Sequence, residues 1–473
     1  MKRICLAIPT NRECTAAIAA LVQEAGHAVR HFPVQVVVLI ADTASSGIAA
    51  DNSRALQQAM HALEVQYSAT EVQHNKLDAR RIEAHHFTAP EQAALLTQII
   101  SCAALQARAL EHEQKRELER ELHALLLPDG VSYGAATNRL FLLAQYLGCD
   151  SLHRRDSDSR YQLASGSVIY PIHHELRCIG LPASAVANLV DQTVATPLHA
   201  DCPVMLVGAS YVGALSIDVA PMFARDAEAA YRIVGQFAPS HLSAADKRDW
   251  VDCSYLHTGQ SRLEQDRSEL AHGHSFLIDT CNICFSQIQQ VLPLPPACDT
   301  IGTDYFLLSL MNILALPVVH HNRHIENFHT PERRSAQGFV EYQFRLVKYF
   351  LYMSWLHATV RALDQARAQL WLAPPGATLA WNLPLLHAVL AEPEPLARID
   401  AENAAKLSEL QQQYARLGGA YAEFAALLTE QAPQLLQACR DDIARYAAFA
   451  PHWPALMRAA RSCFDGESAC PQT

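Results

Sequence analysis

The sequence predicts an α/β fold with a mixed, mostly parallel sheet flanked by helices, followed by a helical region. Near the amino terminus, an apolar run, a helical pattern and a second apolar run follow one another at residues 4–8, 15–26 and 34–40. Buried strands that alternate with helices form parallel βαβ units. From about residue 337, apolar residues recur at helical spacing, which indicates a helical carboxyl-terminal region.

Each part of this pattern has a physical reason. β-Branched residues fill 34–40 almost continuously, as in a strand that is covered on both faces. Between 53 and 127 the pattern is mostly helical, and the charge run at 111–121 is typical of a solvated helix face with i,i+4 pairs. The later elements follow in order: helices over 132–147 and 305–315, a short strand over 317–321, and an amphipathic helical stripe over 407–428.

Length and composition limit the class of protein. A chain of 473 residues exceeds one ordinary core, so we expect an α/β domain at 1–335, with a helical insertion at about 50–127, and a helical domain at 336–473. A formal net charge of -11 argues against a nucleic-acid binder, which needs a basic face. No apolar window has the length of a signal peptide or a membrane span, so we expect a cytoplasmic protein.

The cysteines favour reduced thiols over a structural framework. Thirteen cysteines are an odd number in a long chain, which argues against paired disulfides. Cys281 and Cys284 form one CxxC, but a zinc site of that kind needs a second ligand pair, which the sequence lacks. We therefore expect mostly buried, cytosolic cysteines.

Polar residues follow the first two predicted strands. Thr10, Asn11 and Arg12 come after the first strand, and Asp42 comes after the second. In open parallel sheets, ligands bind beyond the carboxyl ends of the strands. These four residues are therefore candidate ligand contacts.

An acidic pair supplies a candidate metal site. Asp156 and Asp158 flank a serine and can both reach one point from a turning segment. Two hard oxygen ligands suit Mg²⁺ or Mn²⁺, which also bind through substrate phosphates. The alternative is a capped turn without a metal, which is the commoner origin of an isolated Asp-x-Asp.

The residues before this pair resemble those of GT-A glycosyltransferases, especially the family-2-like members. Residues 133–150 are similar to a segment in which a helix containing an asparagine leads through a short strand to the metal-binding Asp-x-Asp. The resemblance covers about residues 1–330 and implies a nucleotide-sugar donor and a Mn²⁺ or Mg²⁺ cofactor. It implies metal ligation by Asp156 and Asp158. It also implies donor contacts by Thr10, Asn11, Arg12 and Asp42. We further expect donor contacts by Asn138, Arg139, Arg155, Asp156 and Arg160.

Residues 273–285 and 302–306 look like the acceptor side of the same fold. In inverting members of that family, an acidic residue that opens a helix acts as the general base, and Asp304 stands at that position. The acidic pair usual at this point is replaced by Thr303 and Asp304. The sequence does not decide between inversion and retention, and a retaining enzyme needs no such base.

A run of histidines follows the strand at 317–321. Many GT-A enzymes complete their metal site with a histidine after the last strand, so the resemblance implies that His321 or His324 is a metal ligand, with His329 as a further candidate. His85, His86, His173 and His174 are interpreted as packed or surface residues.

These observations predict a metal-dependent glycosyltransferase that moves a sugar from a nucleoside-diphosphate donor to a soluble small-molecule or protein acceptor. A nucleotidyltransferase is an alternative, but residues 9–12 lack the glycine-rich loop and lysine that it needs. A metal-dependent phosphohydrolase could use the same acidic and histidine residues. A scaffold that kept the fold without activity is the non-enzymatic alternative.

Overall fold

The computed structural model describes residues 1–70, 81–106, 111–194, 200–215, 217–256, 262–272, 278–328 and 336–464. Its strands are β1 Lys2–Thr10, β2 Val34–Asp42, β3 Ile82–Phe87, β4 Ser151–Arg155, β5 Ser159–Tyr161, β6 Leu163–Ala164, β7 Ser167–Val168, β8 Gln192–Val194, β9 Leu206–Gly208, β10 Tyr211–Gly213, β11 Ser268–His272, β12 Asn282–Phe285, β13 Pro317–His321 and β14 Ile325–Asn327.

Helices connect these strands and make up most of the carboxyl-terminal part. They are α1 Thr15–His31, α2 Ser46–Thr70, α3 Ala89–Gln106, α4 His112–Leu126, α5 Tyr133–Tyr146, α6 Ile172–Cys178, α7 Ala183–Val186, α8 Ala220–Arg225, α9 Ala227–Val234, α10 Ala244–Val251, α11 Ile288–Val291, α12 Phe306–Ile313, α13 Ala336–Ala366, α14 Leu383–Ala391, α15 Leu396–Leu417, α16 Ala420–Phe449 and α17 Trp453–Phe464. Short 3₁₀ turns lie at Gly235–Phe237 and Thr303–Tyr305, and a π-helical turn lies at Asp252–Leu256.

The main sheet has nine strands in the order β3-β2-β1-β4-β12-β9-β13-β11-β8. The first four strands are parallel, β12 runs antiparallel to both of its neighbours, and β9 pairs with β13 in parallel. At the far edge, β11 is antiparallel to β13 and parallel to β8. A small sheet, β10-β14-β5, lies beside it. The prediction of a mixed, mostly parallel α/β sheet is confirmed.

Alternating side chains bury both faces of the central strands. On one face, Ile4, Leu6, Val36 and Val38 pack with residues of α1 in one hydrophobic cluster. On the other face, Cys5 and the alternate residues of β1 and β2 join a larger cluster that includes α3, α4 and α5. Successive side chains of a strand point to opposite faces, so a continuous apolar run is the expected sequence of such a strand.

The helical carboxyl-terminal region shares its core with the sheet. Trp355 of α13 and Trp453 of α17 belong to the same buried cluster as Phe141 of α5. The Trp453 indole N–H also donates to the Gln289 carbonyl at 2.7 Å. The helical character of this region is confirmed, whereas the division into domains at residue 335 stays a prediction. No helix in the described part of the chain combines the length and apolar character that a membrane crossing requires.

The expected helical insertion at 50–127 contains α2, α3 and α4, but it also contains a strand. β3 pairs in parallel with β2 and forms one edge of the main sheet. Its sequence, Ile-Glu-Ala-His-His-Phe, has only two large apolar residues, so its periodicity is weak. Glu83 at this edge binds the Arg3 guanidinium through both carboxylate oxygens. Pairing with a strong neighbour thus fixes a strand that local pattern does not predict.

Candidate active site

A large cavity lies beyond the carboxyl ends of β1 and β4. Its volume is about 1140 Å³. The chain runs from β1 towards β2 and β3 on one side, whereas β4 lies on the other side of β1. This is a topological switch point, where open α/β sheets bind ligands. The predicted site residues that line the cavity are Thr10, Asn11, Arg12, Arg139, Asp156, Asp158 and Asp304.

The turn after β4 presents the acidic pair to this cavity. The Ser159 hydroxyl donates to the Asp156 carbonyl at 2.8 Å, which fixes the turn. The Arg154 guanidinium contacts Asp156 Oδ1 at 3.1 Å, and Arg12 Nη1 lies 3.5 Å from Asp158 Oδ2. Both carboxylates line the cavity. The segment is therefore a stabilised turn whose two acids remain available to a ligand.

Negative charge is concentrated around Asp156. Burial raises the pKa of the Asp156 carboxyl to about 6; the Arg154 guanidinium opposes this rise, and Asp158, Asp279 and Asp304 add to it. Carboxylates that share a low-dielectric site destabilise each other's ionised form. A bound divalent cation would relieve this repulsion, because its positive charge would be the largest single charge in the site.

Two consecutive arginines on β4 point in opposite directions. Arg154 faces the cavity and donates to Asp304 Oδ2 at 2.9 Å. Arg155 faces the other side of the sheet and binds Glu24 at 2.8 Å and Glu175 at 3.0 Å. Arg155 is fully buried and does not line the cavity. The alternation of side chains along a strand thus separates Arg155, which was expected to contact the donor, from the site.

Asp42 holds the loop after β1 and is itself fully buried. The Asn52 amide donates both to Asp42 Oδ2 at 2.8 Å and to the Arg12 carbonyl at 2.9 Å. His86 and the Ala44 backbone N–H also bind the Asp42 carboxylate. Burial disfavours its charge, but these hydrogen bonds outweigh that effect and lower the pKa of Asp42. Its neighbours at 41 and 43 line the cavity, whereas Asp42 does not.

Asn138 and Arg160 also lie outside the cavity lining. The Asn138 amide donates to the Leu294 carbonyl and accepts from the Leu294 N–H, both at 2.8 Å. This pair of bonds joins α5 to the proline-rich turn after α11. Arg160 is exposed on β5, where its guanidinium carbon lies 4.8 Å from the centroid of the Phe328 ring. Both side chains thus have structural partners away from the cavity.

Arg139 is a partly buried cation at the cavity wall. It donates to the Leu126 carbonyl at 2.8 Å and to Gln92 Oε1 at 3.2 Å. Among the residues that the structure describes, no carboxylate forms an ion pair with it. Burial therefore lowers the pKa of Arg139 to about 10. A buried charge without a counter-charge is costly, and an anionic ligand in the cavity would supply one.

The candidate base lies on the loop that opens α12. Thr280 Oγ1 donates to Asp304 Oδ2 at 2.9 Å, on the same oxygen that Arg154 binds. Thr303, which replaces the first acid of the usual pair, is buried and accepts the Gly134 N–H at 3.2 Å. Gly302 has a φ of 75°, and a Cβ there would lie 2.4 Å from the Tyr349 ring. The loop therefore requires a glycine at this position.

The predicted histidine ligands lie behind the cavity wall. His321 is fully buried and stacks on His174, with their ring centroids 5.3 Å apart. The His324 Nδ1 accepts the Ser210 backbone N–H at 3.1 Å. Neither histidine lines the cavity. His329 and the predicted acceptor residues 273–277 lie outside the described residues.

Sequence reasoning missed two residues of the site. Asp279 lines the cavity next to Asp304 and accepts hydrogen bonds from the Tyr305 hydroxyl and from the Cys281 N–H. Arg154 connects Asp156 with Asp304. The only local signal for its role was its position on a predicted buried strand two residues before Asp156. A buried arginine requires carboxylate partners, so it could have been expected to bind the acids of the site.

A second group of ligand-type side chains is wholly buried. His153, Glu175 and Cys284 place one ligand atom each within 4.8 Å of one another, and no other group of three in the described part of the chain does so. His153 and Arg155 already bind Glu175, and burial raises the pKa of the Cys284 thiol well above its usual value. This group is an internal ion-pair network that does not open into the cavity. The cysteines of the described ranges are free thiols.

Comparison with known families places the chain in one of them. A family model described as a family of unknown function (DUF6271) matches residues 2–468. The chain belongs to DUF6271. The family model thus covers both the α/β part and the helical part of this DUF6271 member. A comparison with curated proteins gives no match.

One solved structure that is similar to this DUF6271 chain is the mannosyltransferase PcManGT from Pyrobaculum calidifontis, in complex with GDP-Man and Mn²⁺. The two share 12% sequence identity, and the alignment covers 99% of this chain and 88% of that chain at a TM-score of 0.28. A likeness of this size does not establish a common function, so the functional argument below depends on the residues of the cavity.

Proposed function

We propose that the chain is a metal-dependent glycosyltransferase with a GT-A-like fold, which transfers a sugar from a nucleoside-diphosphate donor to an acceptor. The observation that carries the proposal is the shared cavity of Asp156, Asp158, Arg12 and Arg139 at the switch point of the sheet. Carboxylates that can hold a cation and arginines that can hold phosphates are the two parts that a diphosphate site needs.

The acidic pair fits Mg²⁺ or Mn²⁺. Asp156 and Asp158 supply hard oxygen ligands on one turn, and both line the cavity. Ions of this class keep waters and use one or two carboxylates together with substrate phosphates, so a third protein ligand is not required. Completion of the site by His321 or His324 stays a prediction, because both lie behind the wall.

The arginines would hold the donor. Arg139 gains a counter-charge when a diphosphate enters the cavity, and a guanidinium binds phosphate oxygens through two parallel N–H groups. Arg12 lies only 3.5 Å from Asp158 and is partly exposed, so it can turn towards a phosphate. Thr10 and Asn11, on the same loop, are placed to contact the nucleoside. This assignment keeps the predicted donor roles of those four residues.

The transfer joins an acceptor hydroxyl oxygen to the anomeric carbon of the sugar. The bond from that carbon to the diphosphate breaks, and the electron pair leaves with the diphosphate. A bound divalent cation would supply Lewis-acid stabilisation of the leaving group. Arg12 and Arg139 stabilise the same developing charge. In an inverting reaction the hydroxyl proton passes to Asp304, which Arg154 and Thr280 orient; a retaining reaction needs no such base.

Calorimetry tests the proposal directly. Wild-type protein should bind uridine or guanosine diphosphate in the presence of Mn²⁺, and Asp156→Ala and Asp158→Ala should each abolish the metal-dependent part of the binding. Asp441→Asn, which changes an exposed carboxylate on α16, is the matched control and should bind like the wild type. Equal metal-dependent binding by the wild type and both alanine variants would refute the proposal.

An activity screen separates this proposal from its rivals. A panel of nucleotide sugars with Mn²⁺ should yield nucleoside diphosphate and free or transferred sugar. A phosphohydrolase would instead release phosphate from a simple ester without an acceptor. A scaffold without activity would release neither sugar nor phosphate in the same screen.

A further inference from the structure

The cavity has a second half that the diphosphate donor does not need. Single small-ligand sites typically occupy about 300–1,000 Å³, and this cavity of about 1140 Å³ is larger. The turn after β4 and helix α5 carry the acidic pair and Arg139, whereas α10, α12 and α13 contribute a second set of lining residues, called here the second wall. We propose that this second wall binds an acceptor with an apolar, aromatic ring system that carries the reacting hydroxyl; the inference rests on the proposed function.

Besides polar residues, the second wall includes a set of apolar and aromatic side chains. They come from four separate parts of the fold: the 3₁₀ turn before α10, α10 with the π-helical turn after it, α12, and α13. We define the apolar wall as Phe237, Trp250, Tyr255, Leu308, Met353 and Leu356, all of which line the cavity. A π-helical turn is rare and is frequently found at functional sites, and here it contains Tyr255 of the wall.

The aromatic members form one contiguous surface. The Phe237 ring centroid lies 4.7 Å from that of Tyr255 in an edge-to-face arrangement and 5.9 Å from that of Trp250. The Tyr255 and Tyr349 hydroxyls lie 2.9 Å apart. Trp250 is only half-buried, so part of its indole is accessible from the cavity. A planar ring that enters this space would extend the same edge-to-face and offset packing.

Charged groups along this wall are already paired. Arg361 binds Glu394 at 2.8 Å, and Arg345 lies 3.8 Å from Glu341. Burial lowers the pKa of His357 to about 3, so its ring is neutral. A phosphorylated or anionic acceptor would need a cation that these residues do not supply. The paired charges therefore favour a neutral compound over a lipid phosphate, and the six side chains of the apolar wall favour an aromatic ring over a free sugar.

The apolar wall adjoins the candidate base. Asp304 precedes α12, and Leu308 follows it by four residues, a spacing that brings side chains to the same face of a helix. Tyr349 packs against Gly302 on the loop that carries Asp304. An aromatic ring against Leu308 and Tyr255 would therefore present a hydroxyl towards Asp304. In an inverting transfer, that hydroxyl oxygen bonds to the anomeric carbon, its proton passes to Asp304, and the diphosphate leaves with the electron pair of the broken bond.

The test is binding of 4-methylumbelliferone, a neutral aromatic alcohol, to the full chain, measured by the fluorescence anisotropy of the probe. The wild type should bind it, and excess methyl α-glucoside should not displace it. Trp250→Ala should weaken binding about tenfold or more, as expected for the loss of an aromatic contact. Met353→Gln, with nearly equal volume, should also weaken binding. Trp371→Ala is the control, because Trp371 packs on Trp381 outside the cavity.

Two results would overturn the inference. One is displacement of the probe by methyl α-glucoside. The other is unchanged or absent probe binding across the wild type, Trp250→Ala and Met353→Gln, with each variant folded by circular dichroism. Asp156→Asn separates this failure from failure of the proposed function. It should lose Mn²⁺-dependent guanosine diphosphate binding and keep the probe; if it keeps the nucleotide like the wild type, the proposed function fails regardless of the probe.

Discussion

Arg139 gives the sharpest contrast between a structural and a ligand-binding role. The side chain is partly buried at the cavity wall, and no carboxylate in the described ranges neutralises it. Arg139→Met keeps most of the side-chain volume and removes the charge. We expect this variant to lose nucleotide affinity without losing stability, which is the opposite of what a structural arginine would show.

The magnitudes follow from the surroundings of Arg139. A pKa that falls from 12.5 to about 10 corresponds to a cost of about 3 kcal/mol for keeping the charge in the folded protein. The substitution removes that cost but leaves the Leu126 carbonyl and Gln92 without a donor, at about 1–3 kcal/mol together. The free energy of unfolding should therefore change by no more than about 2 kcal/mol. The loss of a charge-assisted phosphate contact, about 1.5–3 kcal/mol, should weaken diphosphate binding by about 10-fold to 100-fold.

Two measurements on the same preparation check this prediction. Urea unfolding gives the change in stability, and calorimetry with guanosine diphosphate and Mn²⁺ gives the change in affinity. Arg361→Met is a comparison variant, because Arg361 lines the same cavity but is paired with Glu394. If Arg139→Met unfolded several kcal/mol more easily and bound the nucleotide as tightly as the wild type, Arg139 would be a structural residue.

Three further predictions concern residues outside the cavity. Asn138→Ala should lower the free energy of unfolding by about 2–4 kcal/mol, because Leu294 loses two buried hydrogen bonds. Its nucleotide affinity, measured by calorimetry, should stay within about twofold of the wild type. A large loss of affinity would instead support the predicted donor contact by Asn138. Arg155→Met should destabilise by about 3–5 kcal/mol in urea unfolding, since two buried carboxylates lose their partner; an unchanged midpoint would contradict this. Burial lowers the pKa of His27 to about 3 and that of His173 to about 4, so below pH 6.5 the unfolded chain binds more protons than the folded one, and stability falls as the pH falls. Between pH 7 and 5, the free energy of unfolding of the double variant His27→Gln/His173→Gln should fall by about 2 kcal/mol less than that of the wild type, allowing for the partial exposure of both rings. Equal falls would show that other titrating groups cause the loss of stability in acid.

The sequence was sufficient for the central strands and for the acidic turn. The apolar runs at 4–8 and 34–40 predict buried parallel strands, and the structure has β1 and β2 there. Asp156 and Asp158 reach the cavity because the turn follows a strand end, which is where a parallel sheet binds ligands. These features depend on local pattern and on a general rule of sheet topology.

The sequence was insufficient where the direction of a side chain decides its role. Arg154 and Arg155 are identical in type and adjacent, yet only Arg154 faces the cavity, because the register of β4 sets which face each one takes. Asp42 and Asn138 are expected donor contacts from the sequence, and in the structure Asn52 and the Leu294 backbone bind their side chains. Such contacts join residues that are distant in the chain, and no local pattern encodes them.

The apolar wall could not be predicted from the sequence either. Trp250, Leu308 and Met353 belong to three different helices. In each helix, the local pattern indicates only a residue of the hydrophobic core. Only the packing of α13 against the sheet's core cluster brings them to one cavity with the acidic turn. The contribution of the helical region to the cavity lining therefore follows from tertiary structure and not from its sequence pattern.

The central claim is that Asp156 and Asp158 share one divalent cation with a nucleoside diphosphate. Crystals grown with MnCl₂ and guanosine diphosphate, with data collected at the manganese absorption edge, test this directly. The account predicts an anomalous peak within coordinating distance of both carboxylates and of the diphosphate oxygens, on the side of the cavity that Arg139 lines. A peak at the buried His153, Glu175 and Cys284 group instead, or none at the acidic pair while nucleotide is bound, would contradict it.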